Sequence, residues 1–186
     1  MSEIPWEAIE KRFDDAEKNE KIRPFLKELN FISNPRIRQF TENILTMLPD
    51  YFFIIPASST GKYHPSYTLG EGGLTKHVKA AIRIAHGLTC LYDFTELDKD
   101  VIFSALILHD GMKNGLKHSR YTVHEHPLVM SDFIKAQNNI ISPGILNAIC
   151  GCIESHMGQW ISSKYSKIVL PLPKNQLQNF VHLCDY

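Results

Sequence analysis

Apolar residues recur three and four positions apart along the whole chain, interrupted by Pro, Gly and Asn, while runs that alternate apolar with polar are scarce. That period belongs to helices with one buried face, so the pattern predicts an all-α protein. Helices are expected over residues 6–19, 22–29, 35–47, 73–91, 97–109, 127–137, 143–156 and from 175 to the C-terminus. Pro127 and Pro143 suit a first helical turn, where a missing N–H is no loss, which puts His126 and Ser142 in the capping position. Residues 51–73, YFFIIPASSTGKYHPSYTLGEGG, fit no helix. A structureless stretch longer than about 15 residues is usually functional or disordered, and the aromatic content here argues against disorder. It is expected to pack over a site and to begin with a short extended segment.

Helical phase then sorts the polar residues. In residues 72–91 the apolar stripe runs through Leu74, Val78, Ala81, Ala85 and Leu88, and His77 falls inside it, whereas His86 turns to solvent. In residues 142–158 the stripe is Ile145, Ile149 and Ile153, followed by His156. Leu177 and Val181 are followed four residues on by Asp185. The uncharged run from Val101 to Leu108 leads directly into His109 and Asp110, and His126 begins a helix whose inner face is Leu128, Val129 and Phe133. Taken singly, an inward histidine is more often a hydrogen-bonded core residue than a ligand. Four His and two Asp at inward positions, without a matching set of inward Lys or Arg, are most simply explained by a metal ion, because a buried carboxylate needs a cation or several donors. Imidazole with carboxylate suits Mn, Fe, Co, Ni or Zn, with Mg a further candidate, and the absence of cysteine from the set argues against a structural zinc.

Length and composition refine this picture without redirecting it. The 186 residues suffice for one compact unit with a substantial core, and no shift in composition divides them. Twenty basic residues balance twenty acidic ones, so net charge indicates neither a cationic nucleic-acid-binding protein nor an acidic tail, and leaves a local patch open. No stretch approaches a membrane span, and the first residues are too charged for a secretory signal, so a soluble cytoplasmic protein with no membrane partner is expected. Cys90, Cys150, Cys152 and Cys184 have no zinc-knuckle spacing and read as free thiols.

The order His77, His109–Asp110, His126, His156, Asp185 resembles the H...HD...H...H...D pattern of the HD superfamily of metal-dependent phosphohydrolases. Lys113 matches the lysine of the HDxxK form, and GGLTKH, HDGMK, HEHP and HLCDY are similar to a subgroup containing bacterial 3′-5′ exoribonucleases and many bacterial and phage proteins. The usual HDIGK turn is HDGMK here, with the glycine moved and the ligands kept. The resemblance covers residues 51–186 and implies an HD metal-binding domain there; residues 1–50 lie outside it and are expected to be a helical segment packed on that core. It also implies two divalent ions, one held by His77, His109, Asp110 and Asp185, the other by His126 and His156 with Asp110 bridging. The reaction implied is hydrolysis of a phosphomonoester or phosphodiester by a metal-activated water, with Asp110 and Lys113 in catalytic roles. The substrate would be a phosphorylated small molecule, a nucleotide or a single-stranded nucleic acid.

Lys62 and His64 in the long loop carry donors suited to phosphate, Tyr63 or Tyr67 could stack on a base, and His118, Arg120 and His124 could line the cleft mouth with Lys113. His124 rivals His126 as a ligand, and His182 is expected to orient the last helix by hydrogen bonding. Two alternatives share the ligand set by resemblance: a mixed-valent di-iron oxygenase, and a non-catalytic regulatory HD domain. The oligomeric state is open.

Overall fold

A computed structural model describes residues 19–62, 64–117 and 119–186, and these form an all-α protein. Eight α-helices are described: α1 (Leu26–Leu29), α2 (Pro35–Met47), α3 (Tyr51–Ile54), α4 (Gly73–Leu88), α5 (Glu96–Leu108), α6 (His126–Gln137), α7 (Pro143–Ser155) and α8 (Gln176–Asp185). Among the described residues the only extended pairing is an isolated antiparallel bridge between Ser163 and Ser166. None of the described helices is long and apolar enough to cross a membrane. The helix expected over residues 6–19 lies, but for its last residue, outside the described residues.

Helix α5 is the axis of the fold. Thr95 caps it in a reciprocal box, accepting from the Asp98 N–H while the Asp98 carboxylate accepts from the Thr95 N–H. Every residue from Asp100 to Leu108 is buried, and α1, α2, α4, α7 and α8 all pack against this helix. A helix hydrophobic all round can be stable only with neighbours on every side, so the run from Val101 to Leu108 dictates the central position. Phe25, Leu29, Ile37, Phe40 and Ile44 share one core with Leu74, Ile82, Ile102, Ile149 and Val181, so residues 19–50 and the later helices are a single packed body.

Two buried carboxylates fasten the first helices to this body. Glu28, wholly buried on α1, receives Arg83 of α4 through Nε at 2.8 Å and Nη2 at 2.7 Å. Asp100 of α5 accepts from the Ser33 N–H at 2.6 Å, the Ser33 hydroxyl at 3.0 Å and the Asn34 N–H at 2.9 Å. Asn34 in turn caps α2, accepting from the N–H groups of Arg36 and Ile37.

Three details depart from expectation. Residues 51–54 are a helical turn, α3, where an extended start was expected: Phe52 packs at 6.0 Å from Phe25, and burial of Tyr51 and Phe52 outweighs the strand preference of aromatic residues. Glu125, not His126, is the N-cap of α6, and His126 is its first residue. Residues 22–29 are a 3-10 turn, Arg23–Phe25, followed by the short α1, because Pro24 cannot donate within a continuous helix. The remainder of the long loop closes on itself. Ala57 N–H donates to Thr68 O at 3.0 Å, and a Cβ at Gly73 would lie 1.9 Å from that same carbonyl oxygen, so only glycine lets α4 start against the loop.

Asp100→Ala is expected to destabilise the fold by about 2–3 kcal/mol, since it strands two backbone N–H groups that had a charged acceptor. The urea midpoint should fall with an unchanged m-value, and helical circular dichroism in the absence of urea should be retained.

Candidate metal centre

Five helices and one turn deliver six side chains to one place. Helix α5 ends at His109, its C-cap, and the chain enters a series of turns at Asp110. His77 lies on α4 within the buried stripe of Leu74, Val78, Ala81 and Ala85. His126 opens α6, His156 is the C-cap of α7, and Asp185 closes α8, four residues after buried Val181.

Asp110 is at the middle. Its Oδ1 lies 3.0 Å from His126 Nε2 and 3.8 Å from His156 Nε2; its Oδ2 lies 3.5 Å from His109 Nε2 and 3.8 Å from His77 Nε2. Asp185 Oδ1 lies 2.8 Å from His77 Nε2 and 3.0 Å from His109 Nε2. Two overlapping groups, His77–His109–Asp185 and His109–Asp110–His156, hold ligand-type atoms within 4.8 Å of one another.

The outer nitrogens determine what the inner ones are. Nδ1 of His109 faces Leu106 O at 2.8 Å, Nδ1 of His126 faces Val123 O at 2.7 Å and Nδ1 of His156 faces Ile153 O at 2.7 Å. A carbonyl oxygen only accepts, so all three Nδ1 atoms carry protons, and in a neutral ring Nε2 then has a lone pair aimed inward. This is the tautomer and second partner that metal-bound imidazoles use. In these tautomers two inward lone pairs face each other without a proton between them: His126 Nε2 and His156 Nε2 are 3.2 Å apart. His109 Nε2 and Asp110 Oδ1 are fully buried and make no aligned hydrogen bond, although both are within range of oppositely charged or polar atoms. Buried polar atoms without an aligned partner, converging on a point, are what a divalent ion would satisfy once it displaced the protons there, so His77, His109, Asp110, His126, His156 and Asp185 are the residues that could hold one or two.

Electrostatics follow from the same proximity. Burial raises the Asp110 carboxyl, but Lys113, His109 and His126 outweigh it and hold the group well below the usual carboxylate range. Burial likewise opposes ionisation of Asp185, and His109 and His77 overcome it. For His109, burial pulls downward and the two carboxylates pull harder upward, leaving it at about 9. His156 is pushed down to about 3 by burial and by His109.

Lys113 is buried beside the ligands, its Nζ 2.6 Å from Asp110 Oδ2 and 3.5 Å from His64 Nε2. The His64 ring also lies 4.7 Å from that of His77, so the long loop reaches the centre through this residue. Burial, then Lys113 and His77, lower His64 to about 4. Lys62 is exposed, and Tyr63 and His118 lie outside the described residues. Arg120 borders a cleft of about 440 Å³ with Ile55, Pro56, Ser59, Asn114 and Tyr121. His124 is directed away from the six, Nε2 facing Ile161 O at 3.2 Å, which separates it from His126. His182 donates from Nδ1 to His156 O at 2.8 Å and packs flush on Gly158, whose φ of +58° and missing Cβ admit the ring. It therefore links the ligand ending α7 to the helix that carries Asp185. Ile55, Pro56 and Ser59 belong to the stretch expected to pack over a site, but nothing in the sequence singled them or Asn114 out, because two separate loops build that wall.

No protein-family model matches the chain, and no solved structure matches it significantly.

A cation seated among these atoms displaces protons from imidazole, which links uptake to pH. With His109 at about 9, its proton is bound at neutral pH and competes with the ion, so affinity for Mn²⁺ should rise from about pH 6 towards 9 and then level off. Calorimetry in buffers of different ionisation enthalpy should show about one proton released near pH 7. Affinity that is flat across that window would contradict this assignment.

Proposed function

We propose that the protein is a divalent-metal-dependent phosphoester hydrolase of the HD superfamily type, acting on nucleotide-type substrates. The observation that carries the proposal is the convergence of four imidazoles and two carboxylates in a buried site beside a lysine, with His109 Nε2 and Asp110 Oδ1 left without a hydrogen bond. In this reading His77, His109, Asp110 and Asp185 would hold one ion, and His126 and His156, with Asp110, would hold a second. Divalent ions so held would supply an acidified water and a counter-charge for phosphorus.

The chain's own groups complete the chemistry. Lys113, anchored on Asp110, brings a cation to the edge of the ligand set, where a phosphate oxygen can take its hydrogen bonds. His64 is neutral near pH 7, accepts from Lys113 through Nε2, and keeps Nδ1–H to donate to the scissile group or the leaving oxygen. Lys62 is exposed two residues away and could add charge at the rim. The burial of Asp110, His109 and His156 limits bulk water at the reacting centre. A reducing cytoplasmic setting suits the four cysteines, all of which are free thiols.

The test is a panel of phosphomonoesters, phosphodiesters and nucleotides with Mn²⁺-loaded protein, in air and under nitrogen. Asp110→Ala is expected to remove turnover, by about a thousandfold or more, and to lower metal content while helical circular dichroism persists. Oxygen consumption with a polyol or phosphonate and no phosphoester cleavage would establish the oxygenase instead. Metal binding with neither activity would leave a regulatory domain.

His64→Ala is expected to lower kcat/KM by about tenfold, roughly 1.4 kcal/mol, with metal content unchanged. A parallel loss of bound metal would move His64 into the ligand set.

A further inference from the structure

Basic and acidic residues number twenty each, yet they are unevenly placed about the candidate centre. Residues 111–124, which lead from Asp110 towards His126, contain Lys113, Lys117 and Arg120 and no Asp or Glu. Residues 155–184, which lead from α7 to the last turn of α8, contain Lys164, Lys167 and Lys174 and again no Asp or Glu.

The structure pins both tracts beside the ligands. The first folds back on its own start, with Val123 N–H donating to Lys113 O at 2.9 Å and Ser119 N–H to Asn114 O at 2.6 Å. The second forms a small hairpin, closed by the Leu170 N–H bond to Ile161 O at 2.8 Å and the Ser163–Ser166 bridge. That hairpin is fastened to the first tract: His124 Nε2 donates to Ile161 O, and the Ser166 hydroxyl donates to Glu125 Oε1. Glu125, the carboxylate at the junction, is thereby engaged. Each tract carries a cation over a tyrosine: Arg120 is 5.6 Å from the Tyr121 ring centre and Lys164 is 4.8 Å from that of Tyr165. Tyr121 is 55% exposed and Tyr165 85%, so neither ring serves the core.

We propose that these two tracts form a binding surface for single-stranded nucleic acid, with bases stacking on Tyr121 and Tyr165 and phosphates meeting Lys117, Arg120, Lys164 and Lys167. The inference rests on the phosphohydrolase reading for its catalytic meaning and deepens it, selecting a polymer over a free nucleotide. A mononucleotide needs one stacking platform and one phosphate site, which the cleft lined by Arg120 and Tyr121 already offers. A second platform and further cations on a separate hairpin, tied to the first tract, offer successive bases and phosphates contacts that a mononucleotide cannot use. An acidic polypeptide would use the cations and leave the exposed rings idle.

The experiment measures binding of fluorescein-labelled 12-nucleotide RNA and DNA single strands to the full chain in excess EDTA, by anisotropy at several salt concentrations. Both arms share the chemistry, and their ratio identifies the sugar. Expected are a log K against log salt slope of about −3 for four phosphate contacts, and competition by a mononucleotide at least about a hundredfold weaker than by unlabelled strand. Tyr165→Ala should weaken binding about tenfold, and Lys164→Ala with Lys167→Ala should reduce the slope by about 1.4. All three side chains are exposed, and unchanged thermal unfolding would show that the fold is untouched. Equal binding of a poly-glutamate or a base-free heparin fragment, no loss in Tyr165→Ala, or no strand binding at all would overturn the proposal. Because turnover is absent in EDTA, these outcomes are independent of the hydrolase reading: an active phosphomonoesterase that binds no strand overturns only this inference.

Discussion

Six ligand-type side chains in a buried pocket repel one another unless a positive charge lies among them, and much of the fold exists to hold them there. Helix α5, buried along its length, ends at His109 in the centre of the body, where water cannot neutralise a carboxylate. Three imidazoles are locked with Nδ1 on backbone carbonyls three residues earlier, so none can rotate its inward lone pair away without losing that bond. In two cases, His109 and His156, the carbonyl belongs to the last turn of a helix, where oxygens lack the full run of intrahelical N–H donors and can accept from a ring nitrogen. Ending a helix and orienting a ligand are here the same hydrogen bond.

The other buried carboxylates provide an internal comparison. Glu28 is met by the Arg83 guanidinium, and Asp100 by two N–H groups and a hydroxyl. Asp100 is thereby satisfied, and Glu28, whose Oε2 makes no hydrogen bond, is neutralised by Arg83 on Oε1 and by Lys79 3.9 Å from Oε2; each joins one part of the scaffold to another. Asp110 has one cation, Lys113, on Oδ2, while Oδ1 faces only imidazole nitrogens. The difference between a structural carboxylate and a candidate ligand is thus visible in the identity of its neighbours, at comparable burial.

Around this rigid centre the chain uses irregular backbone. The long loop brings His64 to Lys113, the turns after Asp110 form one wall of the cleft, and the hairpin near residue 165 is tied to the residues just before His126. Loops fixed at both ends by ligand-bearing elements can vary in surface chemistry without disturbing the ligands. His182 shows the converse, a tertiary brace between two ligand-bearing helices that tolerates no side chain at Gly158.

Helical periodicity determined the all-α class, the bounds of α2 and the central burial of the run before His109, because a 3.6-residue period and a first-turn proline act locally. It also placed His77, His156 and Asp185 on inward faces. It could not show that those faces meet, that His126 and not His124 points at Asp110, or that Glu28 and Asp100 are buried carboxylates with other partners. Nor did it foresee α3, where packing against Phe25 overrides local preference. Periodicity reports which side of an element avoids water; which elements then share that dry space, and which atoms end within bonding distance, is decided only when the helices pack.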